Sequence, residues 1–443
     1  MDKNEEWKQA REDEECASQP LGAVADSEPF APQVGSVSGD MPRMIGALRH
    51  RDFRWFWGGN FLSNIGTWMQ NVAMGWLVLQ LATNNSAFWL GVVGFASSAP
   101  MLAFSLLGGV IADRIDRRKL MMVTQSAMMI FAFILWGLTA LHRMNLPMLV
   151  LISFTTGIAM ALNVPSFQAL VPQLVPRKDL ANAIALNAAQ FNMSRVLGPT
   201  LGGFAMAWFG VQGNFLLNAL SFVAVLVALM QISYPPLYPA GENTMWEDLK
   251  EGLRYVFERK DLFTLLSMTA VLSVLVIPYI TFVPLFAKQI LHLDERGFGL
   301  LMAANGGGAF LAAVTLAFMH NVKRRGRIVF LAGLAFCAFV AGFALSRNQW
   351  LTAFLLMCTG YFMILMVANV NVMLQHLSED KMRGRVMSIY ATAFLGFSPL
   401  GSLLAGSLAE TFTAPISIAA MAAVAIVIIS MIYRNAPKLG AAG

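Results

Sequence analysis

From Asn60 to Tyr433 the chain alternates long apolar runs with short polar breaks. A bilayer core about 30 Å thick takes roughly 20 apolar residues per helix. At that length the pattern predicts twelve spans, at 60–82, 87–112, 120–141, 146–171, 182–206, 208–232, 263–287, 298–319, 328–346, 350–375, 386–410 and 412–433. Their spacing of about 31 residues per pass leaves room for helices of 20–25 residues and short loops. Only a short stretch around Gly210 divides the fifth span from the sixth. Ahead of the first span, Arg49-His50-Arg51-Asp52-Phe53-Arg54-Trp55-Phe56-Trp57 mixes base with aromatic, the composition of a headgroup-level helix. Between spans six and seven, Thr244-Met245-Trp246-Glu247 has capping-box spacing, and Leu249, Leu253, Val256 and Phe257 follow on one helical face. A short amphipathic surface helix is expected there.

Composition agrees with a lipid solvent. Of the 443 residues 57% are apolar and 13% charged, against about 25% charged in soluble proteins. Three cysteines are too few for a disulfide framework. A pI near 9.3 raises the possibility of nucleic acid, and the placement of the bases removes it. With the N-terminus cytosolic, inside loops and tails hold 26 of the 31 Lys and Arg, and only Arg143, Lys288, Arg296 and Arg347 fall outside. Lys and Arg favour the cytoplasmic side during insertion, so both termini are expected inside, on a multi-pass protein of the plasma membrane. The basic loops then face anionic lipid headgroups rather than nucleic acid. The predicted organisation is a disordered acidic tail (1–42, net −7), a six-helix half (43–232), a linker with the amphipathic helix (233–262), a second six-helix half (263–433) and a short tail (434–443).

The halves repeat. A displacement of 208 residues lays span two on span eight, and brings the basic loop Arg114-Ile115-Asp116-Arg117-Arg118-Lys119 onto Val322-Lys323-Arg324-Arg325-Gly326-Arg327. A displacement of 203 brings Leu174-Val175-Pro176-Arg177-Lys178-Asp179 onto Leu377-Ser378-Glu379-Asp380-Lys381-Met382, at the entries to spans five and eleven. Two parallel six-helix halves related by an axis along the membrane normal describe the major facilitator architecture, an all-α integral membrane fold. The motifs point the same way. Gly109-Val110-Ile111-Ala112-Asp113-Arg114-Ile115-Asp116-Arg117-Arg118-Lys119 resembles the major facilitator loop motif G-x-x-x-D-R-x-G-R-R-K, with Asp116 where the pattern has Gly. Arg195-Val196-Leu197-Gly198-Pro199-Thr200-Leu201-Gly202-Gly203 resembles the end of the helix-five antiporter motif G-P-x-x-G-G, whose upstream glycines are replaced by Ala185 and Ser194. The stretch from Ala161-Leu162-Asn163-Val164-Pro165 to Ala185-Leu186-Asn187 is similar to the enterobactin-exporter-like, drug-efflux branch. The resemblance covers about residues 45–433. It implies a cytosolic gate built by Gly109, Asp113, Arg114, Asp116, Arg117, Arg118 and Lys119, in which Asp113 meets the start of helix eleven at Arg383-Gly384-Arg385. For Gly198, Pro199, Gly202 and Gly203 it implies export by exchange; plain close packing is the other reading.

The candidate binding site comes from polar residues in apolar surroundings. Asn60, Ser63, Asn64, Thr67, Gln70 and Asn71 share one face of span one, either lining a cavity or bonding a neighbouring helix. Midplane depth favours Asn64, Thr67 and Gln70 as cavity residues. Arg195 stands fourteenth in a span of twenty-five, and within the spans only Glu410, at one end, is acidic. A charge at that depth costs several kcal/mol unless paired or hydrated. Arg195 therefore either faces a watery cavity with Asn187, Gln190 and Asn192, favouring an anionic substrate, or bonds backbone carbonyls. Gly306-Gly307-Gly308 reads as close helix packing.

No phosphate-binding G-x-x-x-x-G-K-[ST] is present and the five histidines are scattered without H-E-x-x-H. No cofactor, metal or enzymatic activity is expected. The expectation is a monomeric secondary exporter of small organic molecules, siderophore-like or drug-like, working by alternating access with protons as a candidate counter-ion. An importer of a nutrient or lysolipid, or a non-transporting sensor, would use the same fold.

Overall fold

Every regular element among the described residues is a helix, as a chain dissolved in lipid requires: with no water to satisfy the backbone, each N–H must find its partner within the segment. The computed structural model describes residues 46–114, 116–232, 245–318, 324–379 and 382–435. The acidic tail 1–42, Thr244 of the capping box, and Lys323 and Lys381 lie outside the described residues.

The first helices are α1 (Arg51–Leu81), α2 (Ser86–Arg114), α3 (Arg117–Ala140) and α4 (Leu146–Leu170). Leu180–Gln231 is continuous in hydrogen bonding except at Gly210, whose φ of 69° and ψ of 177° are non-helical. Asn214 donates to the carbonyl of Gly202 at 3.0 Å, twelve residues back. In a straight helix those residues would be about 18 Å apart, so the chain doubles back at Gly210 into α5 (180–209) and α6 (211–231). The amphipathic segment is α7 (Met245–Glu258). Then follow α8 (Lys260–Ile290), α9 (Glu295–Phe318), α10 (Arg325–Leu345), α11 (Gln349–Leu377), α12 (Arg383–Phe412) and α13 (Ala414–Asn435). Nine helical stretches among the described residues are long and apolar enough to cross a membrane, one of them containing both α5 and α6. In addition α1 reaches 31 residues, and α2 supplies a shorter apolar stretch, Ser86–Met101. A described helix or limb thus overlaps each predicted span. Large apolar side chains such as Trp208, Leu151 and Val123 are more than 60% exposed, which lipid tolerates and water does not.

Two spans are interrupted. In α8, Pro278 has no N–H, and the amides of Val276 and Ile277 both turn back to the carbonyl of Leu272 at 2.9 Å. In α12 a wide turn over Thr392–Gly396 precedes Ser398. The two breaks meet where Ser273 Oγ donates to the carbonyl of Phe394 at 2.7 Å.

Helices α1–α6 pack among themselves, as do α8–α13, and the main crossings between the groups are α2 with α12 and α5 with α9. Within the first group, small residues bring helices together: a Cβ on Gly59 would lie 2.8 Å from the carbonyl of Ala224, and one on Gly66 2.7 Å from Asn218 Oδ1. At one end of the bundle lie the α1–α2, α5–α6 and α8–α9 connections, called here the far end; the first and last described residues lie at the other, the near end. At the near end Arg385 pairs with Glu251 at 2.9 Å and so ties α7 to the start of α12.

Candidate functional site

Where the two groups meet, a cavity of about 310 Å³ opens between α1, α2, α5, α8, α9, α11 and α12. That volume is at the small end of ligand sites. Its wall is mostly apolar, with a polar minority that includes Asn71, Ser97, Ser98, Thr281 and Ser402. Among the described residues no Asp or Glu lines it.

Arg195 is the charged lining residue. Pro199, four residues on, cannot donate to its carbonyl, so α5 is loosened where the guanidinium leaves it. The carbonyl of Arg195 then packs against α9, 3.0 Å from where a Cβ on Gly306 would sit. The guanidinium stacks toward Trp68, 5.7 Å from the ring centroid, and Nη2 reaches Met363 Sδ at 3.7 Å. These are soft contacts. Nε is buried without a hydrogen-bond partner, and among the described residues no carboxylate or backbone carbonyl takes up the charge. Beside it Tyr279 is held by Asn305, whose Nδ2 donates to the phenol oxygen at 2.7 Å and to the carbonyl of Leu356 at 3.1 Å.

The other sequence candidates are distributed as follows. Gln70 is buried and accepts from Asn218 Nδ2 at 2.7 Å, a bond between α1 and α6 away from the cavity. Thr67 Oγ1 bonds back to the carbonyl of Ser63 at 2.9 Å. Asn64 is half-buried and not in the lining. Asn187 and Gln190 are also outside the lining, each with a buried side-chain oxygen that has no hydrogen-bond partner among the described residues. The side chain of Asn192 is outside the described residues. Gly198 packs onto Trp68 and Gly202 onto Met69 and Asn214, while Gly203 crosses Gly299 of α9. Gly306 and Gly308 pack tightly, on Val196 and Met357, and Gly307 faces open space. Of the loop motif, Gly109, Asp113 and Arg114 belong to a stretch of α2 whose side chains lie outside the described residues. Asp116 caps α3, accepting from the amide of Lys119 at 3.1 Å. Arg117 Nη1 donates to the carbonyl of Ala169 at 3.4 Å and Arg118 Nη2 to that of Met230 at 2.9 Å, so two of the motif's bases close the ends of α4 and α6. Trp68, Tyr279 and Met363 had no signal in the sequence, because aromatic and sulfur side chains are ordinary in spans.

Residues 44–442 match the family model described as transmembrane secretion effector, a major facilitator family. The chain is similar to the staphyloferrin A transporter of Staphylococcus aureus (strain NCTC 8325 / PS 47), 25% identical over 366 residues, covering 81% of this chain and 90% of that one. It is similar to the enterobactin exporter EntS of Shigella flexneri, 25% identical with 86% and 91% covered, and to the multidrug efflux pump Tap of Mycolicibacterium fortuitum, 24% identical with 76% and 84% covered. Among solved structures, a bacterial homolog of the human lysosomal transporter Spinster superposes with a TM-score of 0.69 at 13% identity, covering 90% of this chain and 98% of that one. A D-xylose–proton symporter superposes with 0.66 at 14% identity, with 90% and 100% covered.

Proposed function

Since the chain belongs to the transmembrane secretion effector family of the major facilitator superfamily, we propose that it exports a small organic anion from the cytosol across a bacterial inner membrane by alternating access. The observation that carries this reading is the guanidinium of Arg195, set in a cavity between two helix groups with no carboxylate partner among the described residues. A half-buried cation with only a thioether and an aromatic face for partners lacks the charged bonds that offset desolvation, and an anionic ligand would supply them. Trp68 and Met363 hold the head in place without neutralising it. The serine, threonine and asparagine side chains would read hydroxyl or carbonyl groups on the remainder of the molecule. The named exporter and efflux relatives support the outward direction. With both termini in the cytosol the far end faces outside, where the α5–α9 and α2–α12 crossings hold the two helix groups together.

Both of these crossings are glycine contacts. A Cβ on Gly203 would lie 2.5 Å from Gly299 Cα, and one on Gly91 3.1 Å from Gly406 Cα. For anion release these crossings separate while the near end closes.

The substrate is found by comparing metabolites in the medium and cytosol of a deletion strain with those of its parent. Flux of that compound is then measured in proteoliposomes. Hydrogen bonds to a charged group contribute about 1.5–3 kcal/mol, so Arg195→Gln is expected to raise KM by roughly 10- to 100-fold. An equal KM for Arg195→Gln and the parent, or a substrate without an anionic group, would remove Arg195 from this role.

A further inference from the structure

The cavity is roofed at its far end by side chains that fasten the two helix groups together. Trp76 of α1 is 3% exposed and stacks on Phe298 of α9, with centroids 5.4 Å apart and planes 17° from parallel. Phe298 is itself a cavity wall, so this pair forms the ceiling. The indole Nε1 donates to Glu295 Oε1 of α9 at 3.2 Å. Lys288 of α8 sets its ammonium 5.6 Å from the centroid of the same indole and donates to the carbonyl of Leu79, at the end of α1, at 3.2 Å. One tryptophan of the first group is thus engaged by a ring, a carboxylate and an ammonium of the second.

The sequence repeat makes this arrangement informative. A displacement of 208 carries Gly91 onto Gly299, and one of 203 carries Gly203 onto Gly406. The two glycine crossings are therefore equivalent. Their backbones agree further: a Cβ on Gly203 would lie 3.1 Å from the carbonyl of Glu295, and one on Gly406 2.9 Å from that of Ala87. The displacement of 208 also carries Ala87 onto Glu295. Backbone closure is thus two-fold, whereas the chemistry is one-sided. At the α2–α12 crossing the equivalent side chain is a methyl group, which neither accepts a hydrogen bond nor carries charge. Bonds with one ionised member are roughly twice as strong as neutral ones, and only the α5–α9 side has one at this place.

We infer that Trp76 is the plug of the outer gate and that Glu295 and Lys288 are its positioning residues, so that a one-sided polar latch sets how often the transporter opens outward. The glycine crossings let the helices close, and the latch decides how long they stay closed. Outward opening has to free the indole N–H from Glu295 and the ammonium from Leu79, whereas the α2–α12 crossing only slides apart. The inference rests on the transporter reading for the existence of an outward-open state, and on nothing about the substrate.

The test is a distance measurement across the outer seam of the full-length chain in lipid nanodiscs. Nitroxide labels go on Asn84→Cys and Arg347→Cys, with Cys16, Cys337 and Cys358 replaced by alanine. Glu295→Gln keeps the shape and removes the charge; Trp76→Phe keeps the stack and removes the N–H. Each is expected to raise the ratio of long-distance to short-distance populations by about tenfold, which is about 1.4 kcal/mol, and Glu295→Asp to return it toward the parent. Lys288→Met is expected to shift it in the same direction. Parent-like distance distributions in Glu295→Gln and Lys288→Met, with unchanged thermal unfolding, would overturn the latch. No substrate enters this measurement, so a failed latch leaves the Arg195 flux result standing, and the reverse.

Discussion

Gln70 and Asn71 are neighbours in sequence with opposite assignments in space. Gln70 bonds Asn218 between α1 and α6, whereas Asn71 opens into the cavity. Successive helical residues point about 100° apart, enough to move from one neighbour to another. The polar face of α1 was legible as a face, but which helix or space it meets depends on the packing of α6, enforced by Gly59 and Gly66. Removing one partner of a buried hydrogen bond costs about 1–3 kcal/mol, while replacing both with apolar groups is close to neutral. Asn218→Leu is therefore expected to lower thermal stability in detergent by about that amount, with the pair Asn218→Leu and Gln70→Leu regaining most of it. Substrate affinity is expected to stay at the parent's value in the double variant, because neither residue reaches the cavity. Arg195 was legible for the opposite reason. A lone charge deep in a span has few stable solutions, and its location follows from its cost. Its contacts with Trp68 and Met363 were not legible, since they come from α1 and α11, far away in sequence.

Among the elements, the α5–α6 break depends on one residue. Gly210 adopts φ 69° with ψ 177°, a region essentially restricted to glycine, where other residues are strained by about 1–3 kcal/mol. Gly210→Ala is expected to lower the unfolding free energy by about that much, read as a drop in the thermal midpoint, with the cavity unchanged because it lies well below the turn. The interruptions of α8 and α12 are different. Pro278 marks the first in the sequence and Pro399, just after Thr392–Gly396, marks the second, since neither has an N–H for the preceding turn; the hydrogen bond from Ser273 to Phe394 that joins the two breaks has no local signal. The amphipathic character of α7 was likewise legible from its spacing. Its attachment to α12 through Glu251 and Arg385 was not, because ion-pair partners in a surface helix have no periodic signature.

For the molecule as a whole, the absence of carboxylates among the described residues of the cavity wall bears on energetics. A membrane potential acts on a moving charge with about 2.3 kcal/mol per 100 mV, so an inside-negative potential alone drives an anion outward. Export of an anionic substrate from proteoliposomes is expected to rise with an imposed inside-negative potential and to persist when the proton gradient is collapsed. Flux that stops with the proton gradient at constant potential would require a proton carrier elsewhere. The sequence by itself determined the solvent, the helical pattern, the internal repeat and the one deep charge, because each follows from the cost of putting backbone or charge into lipid. Tertiary structure alone decided which face of each helix meets which neighbour. The cavity wall, the glycine crossings and the one-sided latch of Trp76, Glu295 and Lys288 all depend on residues far apart in the chain, and close packing brings these together without any trace in local spacing.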